Sequence, residues 1–442
     1  MIFLISTVFV IPFYFIGYNY FKKIINPISI YLIIWYTLIN LYYIKLISYI
    51  DLSIEAWVLI ISTFLSFFLG CITVFIAQKS LLIKANEKNN KEGLNLFKDN
   101  GKTIKEFALF FSFLGLLGAI QQWYVLINLY GSLAKALLNL GWVYHMRVSG
   151  ELPGVIPYLS STTYIGIFLS GLYTGWKGQF SWIGLIPIVA SVLSGIASVA
   201  RASILFGIVE FILVTMFSIY YFNNFDKDRK TKFSKIIISF TIIISLFVLS
   251  AAIIRSLRGN DEIMVGQTRS ITQLKENAFI TPSIYLYLSG HIGVLTRYLE
   301  STEGEETRVG ENTFLFVYNT LNKFDVVRKP NGYQKGYYIP EWMNTGTYIR
   351  ELHADFGTGG LLFFVYLLGF MISFSWFKAI NESKIIYLVP LTYFSIIIVF
   401  SFLMIITRLG VWIISFLSIM ALFPILNKII FMRTKIDIQQ NG

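Results

Sequence analysis

The sequence has one cysteine, Cys71, set inside an apolar run, which excludes a disulfide framework and any Cys-based metal site. Its three histidines, His145, His291 and His353, do not have zinc-ligand spacing. Charged residues make up only 14% of the chain, against roughly 25% in soluble globular domains. There is no glycine-rich nucleotide loop to support ATP-driven transport and no G-x-S-x-G nucleophile elbow. The Asp-x-Asp pair Asp226 and Asp228 lies in a basic stretch, a weak setting for a nucleotide-sugar metal. The first apolar run has no basic leader and is followed by Lys22 and Lys23, the reverse of a signal peptide. A net charge of +12 would suggest nucleic acid in a soluble protein, but Lys-rich loops between apolar runs account for it, and no nucleic-acid partner is expected.

Apolar residues make up 56% of the 442, and several runs reach the roughly 20 residues needed to cross a bilayer. The expected fold is an all-α, polytopic integral membrane protein forming one domain over 1–442. Eleven spans are counted, within a range of 10–12: roughly 2–20, 27–48, 56–78, 105–129, 155–175, 180–200, 202–222, 236–255, 358–377, 385–406 and 409–427. Lys is concentrated on the short loops that face inward if the N-terminus is outside and the C-terminus inside. The one large polar segment, 256–357, is then an extracytoplasmic loop between spans 8 and 9. Ten of the twelve Arg and all three His fall on the outer side in this arrangement. A topology signal needs only positive charge, whereas Arg offers a planar fork for phosphate or carboxylate.

The stretch "NTGTYIRELHADFGTGG", residues 344–360, puts Arg350, Glu351, His353 and Asp355 directly ahead of a span. In a helix, Thr347, Arg350, His353 and Gly357 share one face, with Glu351 and Asp355 on the neighbouring one. Arg201 and Arg408 each fall between two apolar runs with almost no loop, so both are expected at outer ends of tight helical hairpins. A buried Arg there needs an anion. An anionic ligand or a structural ion pair with an acid would meet that need, snorkelling to the surface would avoid it, and the residues alone leave the three open. "TPSIYLYLSGHIGVLTRYLE" reads as a helix capped by Thr281 with Pro282 in its first turn. The loop's tyrosines and Trp342 suit sugar faces, although aromatic rings more often anchor at the membrane interface. A transporter would place charge at the bilayer midplane, where Glu210 is the main candidate.

The order and sidedness of these features resemble the oligosaccharide repeat unit polymerases, the Wzy-type O-antigen polymerase family. The resemblance runs through Asn344, Thr347, Tyr348, Asp355, Phe356, Gly357 and Gly360, through Arg201 in "ASVARASILF", and through "SIYLYLSGHIGVLTRYLE" and "GENTFLFVYNTLNKFD" in the outer loop. It implies a glycosyltransferase in the bacterial plasma membrane. The growing glycan would leave undecaprenyl diphosphate for a sugar hydroxyl of the incoming lipid-linked unit, with inversion at the anomeric carbon. Arg201 and Arg408, with Arg255 and Arg350, are then expected at the diphosphate. His353 or Asp355 is expected as the base, with His291 as a further choice. Tyr348, Asn344 and Trp342 are expected against the glycan. No cofactor and no metal are expected, and the implied partners are the undecaprenyl-diphosphate-linked oligosaccharide, the lipid bilayer and a chain-length regulator protein. The rivals are an O-antigen ligase and a lipid-linked oligosaccharide flippase or other transporter.

Overall fold

The computed structural model describes residues 2–82, 96–149, 156, 158–179, 181–225, 231–232, 234–238, 240–245, 249, 282–301, 307–332, 334–340 and 342–441. Along the chain the helices are α1 (Ile2–Phe21), α2 (Pro27–Tyr43), α3 (Ile54–Leu82), α4 (Lys102–Tyr130), α5 (Leu133–Leu138), α6 (Leu140–Ser149), α7 (Ser161–Lys177), α8 (Leu185–Ala197), α9 (Arg201–Phe225), α10 (Pro282–Ser289), α11 (His291–Ser301), α12 (Leu315–Asn322), α13 (Tyr348–Trp376), α14 (Leu388–Phe400) and α15 (Gly410–Asn441). A two-residue antiparallel pair, β1 (Tyr337–Tyr338) and β2 (Trp342–Met343), lies ahead of α13.

Six helical stretches among the described residues are long and apolar enough to cross a membrane, as in an all-α membrane protein: Phe3–Phe21, Ile54–Gln78, Lys102–Tyr130, Arg201–Asn224, Tyr348–Asn381 and Gly410–Lys435. Four shorter apolar helices cover Pro27–Tyr43, Trp182–Ala197, Ser234–Ser245 and Ile385–Phe400. The expected spans at 27–48, 180–200 and 385–406 are therefore shorter than their apolar runs. A helix rises about 1.5 Å per residue, so the 13 residues of α8 or α14 reach roughly 20 Å, short of a ~30 Å hydrocarbon core. The run at 155–175 is α7, with every residue but one from Ser161 to Gly175 buried. Its Ser, Thr and Gly content lowers its hydropathy, and such residues are tolerated because protein atoms cover nearly all of this helix.

The chain divides into two compact units. The first comprises 1–87, 262–374 and 397–410; the second comprises 88–261, 375–396 and 411–442. In the first, Asn26 caps α2 through a reciprocal pair of bonds with Ser29, and Pro27 occupies the first turn, where no N–H is needed. Helices α3 and α13 cross so closely that a Cβ on Gly70 would lie 2.1 Å from the Tyr366 carbonyl oxygen, and one on Gly369 would lie 2.2 Å from that of Phe67. Small residues at such crossings let backbones approach where lipid gives no hydrophobic drive. In the second unit, Tyr393 of α14 packs among Phe168, Phe206, Trp412 and Phe416 and donates a 2.8 Å hydrogen bond to the fully buried Glu210 of α9.

Candidate functional site

Backbone geometry at Gly357 builds the site. Its φ of 65° with ψ of −175° is accessible to glycine and hardly to any other residue, and it splits α13 into a polar first half and an apolar second half. The polar half begins where the Tyr348 N–H donates 2.8 Å to the Ser401 carbonyl. It is already helical ten residues ahead of the expected span at 358–377 and carries Arg350, Glu351, His353 and Asp355, while Thr347 precedes its first turn.

Arg350, His353 and Gly357 do share a face, and that face lines a cavity of about 100 Å³ together with Arg308, Lys335, Tyr298 and Tyr337. No carboxylate lines it among the described residues. Arg350 is nearly inaccessible, donating to the Lys335 carbonyl at 2.6 Å and more weakly to that of Asn344 at 3.3 Å. Its guanidinium centre lies 5.7 Å from the Tyr298 ring and 5.1 Å from the Tyr337 ring, a cation–π arrangement. Among the described residues it has no carboxylate within ion-pairing distance. The lining thus carries three cations and no carboxylate, although the neighbouring Glu351 carboxylate also acts electrostatically on Arg350, and the volume is that of a few waters.

The histidines separate by their partners. The His353 ring nitrogens face hydroxyls only, with Tyr298 Oη at 3.0 Å from Nδ1 and Thr358 Oγ1 at 3.2 Å from Nε2. A hydroxyl donates or accepts, so His353 can gain or lose a proton without stranding a neighbour. His291 is fully buried, and its nitrogens face the backbone carbonyls of Thr345 at 3.2 Å and Tyr287 at 2.7 Å. Two acceptors would suit an imidazolium, yet burial outweighs them and lowers its pKa to about 4. His291 is thus a neutral strut donating to Tyr287, with no face toward the cavity. The expected helix around it breaks at Gly290 into α10 and α11, where a Cβ would meet Met343 Sδ at 2.6 Å. Its cap residue, Thr281, lies outside the described residues.

Asp355 is fully committed as an anchor. Oδ1 accepts from the Asn312 backbone and side chain at 3.0 and 2.8 Å, and Oδ2 accepts from the Thr313 backbone and hydroxyl at 2.7 and 2.6 Å. These four bonds tie the "GENT" turn to α13. The Arg308 N–H adds a bond to the Ala354 carbonyl at 2.9 Å, which fixes the Arg308 backbone at the cavity rim.

Arg408 does not sit in a bare hairpin turn. Residues 401–405 leave the helix, and a short 3-10 turn, Ile406–Arg408, precedes α15. Neighbours accept and supply the bonds that helix would have made. The Ile405 N–H donates to Glu351, and the Thr407 hydroxyl to the Thr313 carbonyl at 2.8 Å. Arg408 itself pairs with Glu351 at 2.6 Å and donates to the Gly332 carbonyl at 3.0 Å. Its charge is met by an acid, the structural alternative left open by the sequence, and it does not line the cavity. Arg201 belongs to the second unit, where it opens α9 half-buried. Arg255 lies outside the described residues.

Of the expected glycan contacts, Tyr348 is fully buried and shares a 2.9 Å hydrogen bond with Tyr31, so it positions α13 rather than meeting a sugar. Asn344 is half-buried and lends its carbonyl to Arg350, while Trp342 is 54% exposed. The sequence did not single out Tyr298, Tyr337, Arg308 or Lys335 as site residues. Only the outward bias of Arg and the tyrosine-rich loop pointed in their direction. No group of three or more His, Cys, Asp or Glu side chains capable of holding a metal occurs among the described residues. No family model, curated protein sequence or solved structure matches the chain.

Proposed function

We propose that the protein polymerises lipid-linked oligosaccharide repeat units at the outer face of a bacterial plasma membrane, as the resemblance to Wzy-type polymerases implies. In this reading the N-terminus and the 256–357 loop both face the outside, and the short apolar helices α8 and α14 complete their passages only with the turns that flank them. The observation that carries it is the small cavity in which Arg308, Lys335 and Arg350 surround space beside His353 with no carboxylate in the lining.

The chemistry follows from those groups. The donor's diphosphate lies against Arg350, Arg308 and Lys335. A hydroxyl of the incoming unit forms a bond to the anomeric carbon as the bond from that carbon to the diphosphate oxygen breaks. The hydroxyl proton passes to His353, and the electron pair leaves on the diphosphate, where the cations offset the growing charge. In the tautomer that donates Nδ1–H to Tyr298, Nε2 is the basic atom, and both hydroxyl partners can turn to accommodate the proton as it moves. Asp355 and Glu351 act by holding the turn and Arg408 in place. Trp342 remains the exposed aromatic for a sugar face, and Arg201 a further cation at an outward helix end.

Deleting the gene tests the reading. Surface polysaccharide should collapse to single repeat units, and a His353→Gln copy should fail to restore it while accumulating in the membrane normally. Full-length polymer in the deletion strain would sink the proposal.

A transporter is the second reading, and Glu210 favours it. The residue is fully buried in α9, with Tyr393 on one carboxylate oxygen and no hydrogen-bond partner for the other among the described residues. Buried ionisable groups within spans often mark transport paths. Glu210→Gln should then abolish export of repeat units, whereas a polymerase with this substitution still leaves single units at the surface.

A further inference from the structure

A second cavity, of about 340 Å³, adjoins the first and shares Arg308 with it. Arg328, Lys329, Glu311 and Asn331 complete its lining. Glu311 is the one acid there, and it has a structural task. Its Oε1 accepts the Asn331 N–H at 2.7 Å, which ties the 328–331 stretch to the turn held by Asp355. Three cations against one carboxylate leave the lining net positive. Neutral sugars need no such arrangement, because hydroxyls are met by amides, carboxylates and aromatic faces.

We propose that this cavity is a subsite for an acidic sugar, one bearing a carboxylate, within the substrate glycan; the inference rests on the polymerase reading. Size and position favour it over a second diphosphate. The cavity is an open depression of about 340 Å³, broad enough for a sugar ring. An acceptor unit presents its hydroxyl at the end remote from its own diphosphate, so that diphosphate lies a whole repeat unit from the reaction. A cavity sharing one arginine side chain with the leaving-group site is within a ring or two of it. Arg308 would hold the diphosphate and the sugar carboxylate from opposite sides, while Arg328 and Lys329, both exposed, close on the carboxylate from solvent.

The test begins with the polymer that disappears on deletion of the gene, isolated from wild-type cells. Its repeat unit should contain a carboxylate-bearing sugar. An entirely neutral repeat overturns the subsite and leaves the polymerase standing, whereas loss of no polymer overturns both. Purified protein is then given the lipid-linked repeat unit and the same unit with its carboxylate reduced to a primary alcohol. Wild type should favour the acid by roughly five-fold in kcat/KM, as expected for two exposed cations acting together. The Arg328→Gln/Lys329→Gln double variant should use both units at nearly equal rates. Equal use by wild type, or an undiminished preference in the double variant, also overturns the subsite.

Discussion

At the scale of single residues, the two described histidines of the site region differ by what faces their nitrogens. His353 meets hydroxyls and can shuttle a proton, so His353→Gln should lower polymerisation by about 10²–10⁴-fold without changing thermal stability. His291 meets carbonyls in a dry environment, and its effect belongs to stability. It titrates near 4 when folded and near 6.5 when unfolded. Between those values the unfolded chain binds more protons, so stability is full above about pH 6.5 and falls as pH drops toward 4. The loss should reach about 3 kcal/mol, and unfolding of detergent-solubilised protein should show a flatter profile for His291→Gln. Asp355→Asn puts an amide against four donors and should cost about 2–3 kcal/mol by the same assay. Arg350→Lys keeps the charge but loses the planar fork between Tyr298 and Tyr337, and turnover should drop by roughly 30- to 1000-fold. The sequence put His353 and Asp355 level as candidates for the base, with His291 behind them, and could not choose between the first two. What ranks them are Tyr298, Asn312, Thr313 and Thr345, which lie 42 to 55 positions away and meet them only once the loop folds onto α13.

At the scale of elements, hydropathy and helical periodicity made the six long spans legible, since both depend only on neighbouring residues. The short helices were harder. Apolar runs at 180–200 and 385–406 continue through turns because buried turns are as apolar as buried helices, and hydropathy does not register where the backbone leaves the helix. The unwinding at 401–405 depends on acceptors and donors from Tyr348, Glu351 and Thr313, which no local pattern encodes. The helical face carrying Arg350 and His353 was legible from spacing. The break at Gly357 was not, because a glycine two positions before Gly359 and Gly360 looks like any flexible stretch. Helix crossing is testable here: Gly70→Leu would force α3 away from the Tyr366 backbone and should destabilise the protein by about 1–3 kcal/mol, with lower yield from membranes. A variant as stable as wild type would mean that the two helices do not cross this closely in the membrane.

At the scale of the whole molecule, the account depends on sidedness, because the cationic cavity and its acidic-sugar neighbour serve an outer-face reaction only if 256–357 faces out. In a Cys71→Ser background, an impermeant thiol reagent on intact cells should label Val326→Cys and spare Asn90→Cys, and the opposite pattern would invert the topology. The most direct measurement uses purified protein in lipid with undecaprenyl-diphosphate-linked repeat units and excess EDTA. A ladder of longer lipid-linked glycans should appear with matching release of undecaprenyl diphosphate, and both should vanish with His353→Gln. If no ladder forms with or without added magnesium or manganese, or if His353→Gln makes it at the wild-type rate, the assignment of this cavity as a polymerising site is contradicted.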